Sequence, residues 1–191
     1  MSSEAMDGAS RRGVLAGLAV TGMALAAGPA LAASAAAIDA EADAALASLY
    51  ASNPSAKALG AHAKGVLIFP KITKAGFMVG GQTGDGVLRL KGKPNEYYNA
   101  SAASVGLQIG AQSFSYVMFF ITQSALDYLE SSQGWQVGAG PSAVMLDQGS
   151  AASLDTTNLT QDVYSMVFGQ AGLMAGVTLD GSKITRIHPA A

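Results

Sequence analysis

The stretch VGLQIGAQSFSYVMFFI, residues 105–121, contains two β-strand patterns in succession. In the first, Val105, Leu107 and Ile109 alternate with glycine and glutamine. A strand face made of glycine allows another layer to approach closely. The second, Tyr116–Ile121, is entirely apolar or aromatic, which is typical of a strand buried on both faces. The stretch therefore predicts a sheet with further layers packed against it.

Further short strands are predicted on both sides of this stretch. Val66–Phe69 is an apolar strand that Pro70 stops. Ala75–Gly81 and Gly86–Lys91 flank the turn-rich segment Gln82–Asp85, and this arrangement predicts a hairpin. The other predicted strands are Tyr97–Ala100, Trp135–Val144, Asp162–Phe168 and Leu173–Leu179. Many short strands between turn signals favour a mostly antiparallel sheet or barrel over alternating strand and helix units.

Helical signals precede these strands and recur once between them. Apolar residues at helical spacing predict an amphipathic first helix: Ile38, Ala42, Ala45, Leu46 and Leu49. Asn53 is a suitable cap for a short second helix that begins at Pro54 and runs to about Ala63. Thr122 is a suitable cap for a third helix, Gln123–Ser131. We therefore expect an α+β fold, with a mostly antiparallel β-sheet or barrel-like core, N-terminal helices and one middle helix.

The first 32 residues have the order of a secretory signal. The residues that mark it are Arg11, Arg12, Ala30 and Ala32. The arginines precede an uncharged run, Gly13–Ala27, which is shorter than the ~20 apolar residues of a membrane span. The motif Ser10–Leu15 resembles a twin-arginine signal, although Val14 stands where Phe is usual, so Sec export stays open. We expect residues 1–32 to be removed after Ala32 and the mature protein to lie in the periplasm or cell envelope.

Composition excludes several classes of function. The chain of 191 residues is 50% hydrophobic and 13% charged, which predicts a folded domain rather than a disordered chain. It has no cysteine, which excludes disulfides, iron–sulfur clusters, cysteine zinc sites and a cysteine nucleophile. With only two histidines, a metal cage is not expected either. We divide the mature chain into a helical segment, residues 33–59, and a domain, residues 60–191, and expect no cofactor and no metal.

Enzyme motifs find no support in this sequence. The glycine-rich segment Gly80–Gly86 matches neither a dinucleotide-binding nor a P-loop pattern, and it joins two predicted strands rather than opening a helix. No G-x-S-x-G nucleophile elbow is present. His62 and His188 have no triad partner that the sequence reveals. We expect that the protein is not an enzyme. The enzymatic alternative is a small hydrolase whose site the sequence does not reveal.

Positive charge is concentrated in one part of the chain. Between Lys57 and Lys93 the only acid is Asp85, and six of the basic residues are candidates for lipid binding: Lys64, Lys71, Lys74, Arg89, Lys91 and Lys93. The last three lie at a spacing of two, which predicts one strand face that can meet anionic phosphates, at ~1 kcal/mol per cation. The alternative is a solvated edge strand that lysines protect from aggregation. Three acids of the first helix are expected to face solvent: Asp39, Glu41 and Asp43.

Several separated blocks resemble the SYLF (Ysc84-type) domain, in the order that this family has. The blocks are Ala63–Lys71, Gly76–Gly81, Gly84–Leu88, Gly106–Gln112, Gly134–Pro141 and Gly172–Ser182. Members of this family bind lipids, notably phosphoinositides, and actin. The resemblance implies that residues 60–191 form a SYLF-like lipid-binding domain that interacts with membrane lipid.

Taken together, these features predict an exported envelope protein that binds anionic phospholipid or another amphiphile through a basic face, with no nucleic-acid partner. The alternative is a structural or interaction protein of the cell envelope without lipid specificity, in which the apolar face of Ile38–Leu49 packs on a partner. That face consists mostly of alanine, so it offers little area for membrane insertion. We therefore expect the first helix to pack in the core.

Overall fold

Three helices and six strands make up the part of the chain that the computed structural model describes, residues 33–132, 134–146, 159–172 and 181–190. The helices are α1 (Ala35–Ser52), α2 (Pro54–His62) and α3 (Gln123–Ser131), and the strands are β1 (Gly65–Leu90), β2 (Glu96–Phe120), β3 (Trp135–Gln136), β4 (Ala143–Leu146), β5 (Val163–Gly172) and β6 (Lys183–Ile187). The predicted α+β class is confirmed. The signal residues Arg11, Arg12, Ala30 and Ala32 and the predicted strand Leu173–Leu179 lie outside the described residues.

The second and third helices begin and end close to where the sequence predicts. Ser34 caps α1, and its side chain accepts a hydrogen bond from the backbone of Ala37. Asn53 follows α1 and caps α2, with its side-chain oxygen 3.0 Å from the amide of Ala56. Thr122 caps α3 in the same way. These local signals determine the helix ends because each satisfies amide groups that the first turn leaves without a partner.

The predicted hairpin at Gln82–Asp85 is wrong, because β1 runs through this segment without a turn. Each of its residues pairs with β2, from Gln82 opposite Ala102 to Asp85 opposite Asn99. The side chain of Asn99 reinforces the pairing by donating to the Asp85 carboxylate at 2.7 Å. The turn lies instead between β1 and β2, at residues 91–95, where Gly92 has φ +74°. The shorter strands predicted within residues 97–121 are parts of the single strand β2.

The long β1–β2 ribbon folds over on itself. Its register shifts between Phe69 and Ile72 and again between Phe77 and Val79. Two glycines of the second half lie against the first half: a Cβ at Gly86 would meet the carbonyl oxygen of Ile68, and one at Gly84 would meet Lys71 and Ile72. This close approach excludes side chains at both positions. As a result, the two ends of β1 meet.

The other strands extend this folded ribbon. The sheet order is β3-β6-β2-β5-β4, with β1 on the other edge of β2. Strand β6 pairs antiparallel with the start of β2 and β5 pairs antiparallel with its end, while β4 lies parallel to β5. The single strand predicted at Trp135–Val144 is in fact two, β3 and β4. Gly138 and Gly140 separate them with positive φ angles of +96° and +92°, which an extended strand cannot contain.

Both faces of the central strands are buried. Each residue of Tyr116–Phe120 is at most 1% exposed, which confirms the prediction for these five residues, whereas Ile121 follows β2 and is only partly buried. One core cluster lies inside the folded ribbon with α3, and a second lies between the sheet and the two N-terminal helices. Ile38 and Leu49 of α1 are 2% and 4% exposed in the second cluster, so core packing of this helix is confirmed. No helix among the described residues has the length and apolar character needed to cross a bilayer.

Candidate functional site

Three of the six candidate cations line one open cavity of about 390 Å³, here called the lysine cavity. Lys64, Lys91 and Lys93 contribute its positive charge. The other lining residues are Ala61, His62, Ala63, Leu90, Gln123 and Leu126. The cavity therefore combines cationic groups with aliphatic side chains.

The fold-over of the ribbon creates this cavity. Lys64 precedes β1, whereas Lys91 and Lys93 follow it, so they are distant in sequence. They meet because Gly65 packs against the side chains of Leu90 and Leu126, where an added Cβ would lie 2.8 Å and 3.1 Å from their methyl groups. The end of α2 and the start of α3 complete the lining.

The lysine cavity has an excess of positive charge that the described residues do not neutralise. Among them, no carboxylate lies within 4.0 Å of the ammonium groups of Lys64, Lys91 or Lys93. Lys91 Nζ donates to the carbonyl oxygen of Ala61 at 3.4 Å, which holds it near the end of α2. His62 Nδ1 lies 2.8 Å from the Ala58 carbonyl and donates to it, since a carbonyl only accepts. The three ammonium groups are thus available to an anionic ligand.

Arg89 does not join these lysines, because it binds helix α1. Its guanidinium donates to the carboxylate of Asp43 and, at 3.2 Å, to the carbonyl oxygen of Asp39. The side chain is 28% exposed. The prediction that Arg89, Lys91 and Lys93 share one strand face is wrong, because β1 ends at Leu90 and both lysines lie in the turn that follows it.

One acid of α1 departs from the prediction that it faces solvent, whereas Asp43, whose side chain is 65% exposed, agrees with that prediction. The Asp39 carboxylate accepts hydrogen bonds from Asn95 at 2.9 Å and from the Tyr97 hydroxyl at 3.0 Å. Burial, followed by this bond to Asp39, raises the pKa of Tyr97 above its usual value. We call Arg89, Asp39 and Asp43 the helix clamp, because they join α1 to the β1–β2 ribbon.

Lys71 and Lys74 lie apart from the lysine cavity. Lys71 lines a second open cavity of about 350 Å³ with Glu41. Lys74 lies farther along β1, opposite Gln112 of β2, and does not line either cavity. The structure therefore brings together three of the six predicted cations and separates the other three.

Some residues of the lysine cavity were missed as ligand contacts. Leu90 and Leu126 supply its aliphatic surface, and Gln123 supplies an amide that donates to Asp127 at 2.8 Å. The sequence offers one signal for Gln123, because the Thr122 cap predicts that a helix begins there. The end of β2, just before this helix, pairs with the start of β1 and so brings Gln123 to the cavity. The described residues contain no cluster of three or more His, Asp or Glu side chains that could hold a metal ion.

Comparison with known families locates a domain within this fold. The family model described as Ysc84, Las17-binding protein actin regulator, matches residues 101–190. No curated protein matches the chain. The matched range covers most of β2 and the elements that follow it, including Gln123 and Leu126, whereas the three cavity lysines precede it. The resemblance found in the sequence is confirmed over this range: residues 101–190 are similar to the Ysc84 (SYLF) family, which is a family of binding domains.

Proposed function

We propose that the protein binds the headgroups of anionic phospholipids at the lysine cavity. The observation that carries this proposal is the convergence of Lys64, Lys91 and Lys93, without carboxylate partners among the described residues, around one cavity with aliphatic walls. The phosphate would lie among the ammonium groups, and the adjoining glycerol carbons would contact Leu90 and Leu126.

The chemistry of these side chains favours a surface interaction. A lysine ammonium is a compact charge on a flexible stem, so it can follow a phosphate at a fluid membrane surface. Each such cation contributes ~1 kcal/mol near an anionic leaflet. Among the described residues, the large apolar side chains that are exposed are Tyr128 and Met145, and neither lines the cavity. We therefore expect binding that is mainly electrostatic and that weakens strongly with salt.

A matched pair of variants tests this proposal. Replacing Lys64, Lys91 and Lys93 by Gln removes three charges from the cavity, and replacing Lys57, Lys74 and Lys183 by Gln removes three charges elsewhere. The cavity variant should bind phosphatidylglycerol vesicles more weakly by on the order of 100-fold, and the control variant by much less. Equal weakening of both variants in a flotation assay would show that total charge, rather than the cavity, determines binding. Circular dichroism establishes that both variants are folded.

We propose in addition that the protein acts in the periplasm or cell envelope. The support is the arrangement of Arg11 and Arg12 ahead of an uncharged, Gly- and Ala-rich run with small residues at Ala30 and Ala32. Replacing both arginines by Lys should leave the precursor in the cytoplasm. Unchanged export in a strain without the twin-arginine translocase would contradict that route, and N-terminal sequencing of the exported protein should start at Ala33.

The alternative of a structural envelope protein needs an apolar surface for a partner. The face of α1 that was its candidate is buried against the sheet, with Ala42 fully buried and Ile38 2% exposed. This helix face is thus occupied within the chain, and the lysine cavity is the better-supported binding surface.

A further inference from the structure

The second cavity, here called the bulge cavity, lies where α1 passes over irregular parts of three strands. Between its pairings with Phe69 and Ile72, β2 has one residue, Ser115, opposite two residues of β1, Pro70 and Lys71. Strand β5 bulges at the neighbouring position of β2, where Gly169 has φ +60°. Bulges redirect side chains and are frequent beside functional sites. Two adjacent bulges therefore open the sheet surface at this cavity.

Helix α1 places a carboxylate at the rim of the bulge cavity. Asp39 and Asp43 of the helix clamp hold one flank of α1 on Arg89. Glu41 is two residues from each, about 200° around the helix, so it lies on the opposite flank. It is exposed and lines the bulge cavity. Because the helix clamp and the buried residues of α1 determine how the helix is rotated, the position of Glu41 is also determined.

The polar groups of the bulge cavity complement a ligand with both signs of charge. Among the described residues, neither Lys71 nor Glu41 has an oppositely charged partner within 4.0 Å. Ser115 Oγ donates to the carbonyl oxygen of Pro70 at 2.7 Å, which leaves its oxygen able to accept. Ser113 adds a second hydroxyl, at the edge where β2 meets the β5 bulge.

From this arrangement we infer that the bulge cavity binds a small zwitterion of the aminoethyl phosphate class. Lys71 and the hydroxyl of Ser113 would bind the phosphate, and Glu41 would accept hydrogen bonds from the primary ammonium. This chemistry is offered by the headgroup of phosphatidylethanolamine and by free O-phosphoethanolamine. The site is distinct from the lysine cavity and does not depend on the function proposed for it.

The test uses O-phosphoethanolamine as the probe, with backbone amide shifts of the full chain in NMR as the readout. The amides of residues 113–115 and 169 should shift. Affinity should fall about fivefold in Glu41→Gln and in Lys71→Gln, the size of one exposed charged contact. Lys74→Gln on the same strand is the control and should bind as the wild type does. Phosphocholine should bind more weakly, because its quaternary ammonium cannot donate a hydrogen bond to Glu41.

Two further experiments distinguish the lipid from the free compound as the ligand, and binding at one cavity from binding at the other. Flotation with vesicles of phosphatidylcholine, with or without phosphatidylethanolamine, identifies the lipid source, and NMR binding without a vesicle effect identifies the free compound. The variant that lacks Lys64, Lys91 and Lys93 should bind O-phosphoethanolamine normally, so failure at one cavity leaves the other unaffected. Full binding in Glu41→Gln, or equal binding of phosphocholine, would overturn the inference.

Discussion

Arg89 and Lys91 are two residues apart, and the structure gives them opposite environments. Arg89 is bound by the carboxylate of Asp43 and the backbone of Asp39, whereas Lys91 lies in the lysine cavity without a carboxylate partner among the described residues. One cation thus stabilises the packing of α1 and the other is available to a ligand. The difference teaches that a run of basic residues is a binding surface only where the fold leaves it without acidic partners.

The largest effect is expected from a substitution that disrupts the close packing of the two halves of β1, on which the lysine cavity depends. Gly86→Ala should lower the free energy of unfolding by about 3 kcal/mol, because its Cβ would collide with the backbone of Ile68 and the ring of Phe69. Gly81→Ala is the control on the same strand, where the nearest neighbour of an added Cβ is the Ala102 carbonyl oxygen at 3.5 Å. Urea denaturation compares the two variants, and equal stability would contradict the close packing of the two halves of β1.

The next prediction compares the roles of Arg89 and Lys91 in stability and in vesicle binding. Arg89→Gln should reduce the free energy of unfolding by about 2 kcal/mol, since it removes hydrogen bonds to a carboxylate and leaves Asp39 and Asp43 without their cation. Its binding to phosphatidylglycerol vesicles, per folded molecule, should change little.

The matching variant Lys91→Gln should show the converse behaviour. We expect an unchanged melting temperature and vesicle binding weakened by ~1 kcal/mol, or about fivefold. If Arg89→Gln instead lost vesicle binding while remaining as stable as the wild type, the assignment of Arg89 to the helix clamp would be wrong.

The start of α3 was predictable from sequence, whereas the continuation of β1 through Gln82–Asp85 was not. Thr122 acts through a hydrogen bond to an amide three residues away, so a local pattern suffices. The turn before β2 depends on distant contacts, because Gln82, in the segment that looked like a turn, is buried and donates to Ser182 at 2.9 Å. Because residues far away in the sequence bury Gln82, the sequence around Gln82 does not indicate that it lies in a strand.

The candidate site was also predictable only in part. The concentration of lysines is visible in the sequence, and so is their excess over acids. Which lysines meet depends on Gly65 lying against Leu90 in the folded ribbon, and the pairing of Arg89 depends on a helix far away in sequence. The net charge of the segment was therefore predictable from sequence, whereas which of its basic residues lie together was not.

A smaller effect concerns Asp162, which supports the start of α3 beside the lysine cavity. Its carboxylate accepts hydrogen bonds from the side chain and backbone of Ser142 and from Thr122, and these lower its pKa. A lowered pKa in the folded state stabilises the protein above the unfolded value of about 4 and ceases to do so as the pH falls through the folded value. Asp162→Asn should therefore cost about 1 kcal/mol at pH 7, allowing for solvent screening, and less at pH 3.

Thermal unfolding across this pH range measures the Asp162 contribution. The difference in melting temperature between Asp162→Asn and the wild type should shrink as the pH falls. A difference that stays constant from pH 7 to pH 3 would show that the ionised carboxylate is not what stabilises this junction.

The most direct test of the lysine cavity asks which surface meets the membrane. Because the chain has no cysteine, one can be introduced and labelled with an environment-sensitive fluorophore, either at Ala61, which lines the cavity, or at Met145, which is 39% exposed elsewhere. With phosphatidylglycerol vesicles, the label at Ala61 should report a less polar environment and the label at Met145 should not. The response at Ala61 should disappear at about 1 M salt, where the screening length is about 3 Å. A response at Met145 without one at Ala61 would contradict the assignment of the lysine cavity as the lipid-binding surface.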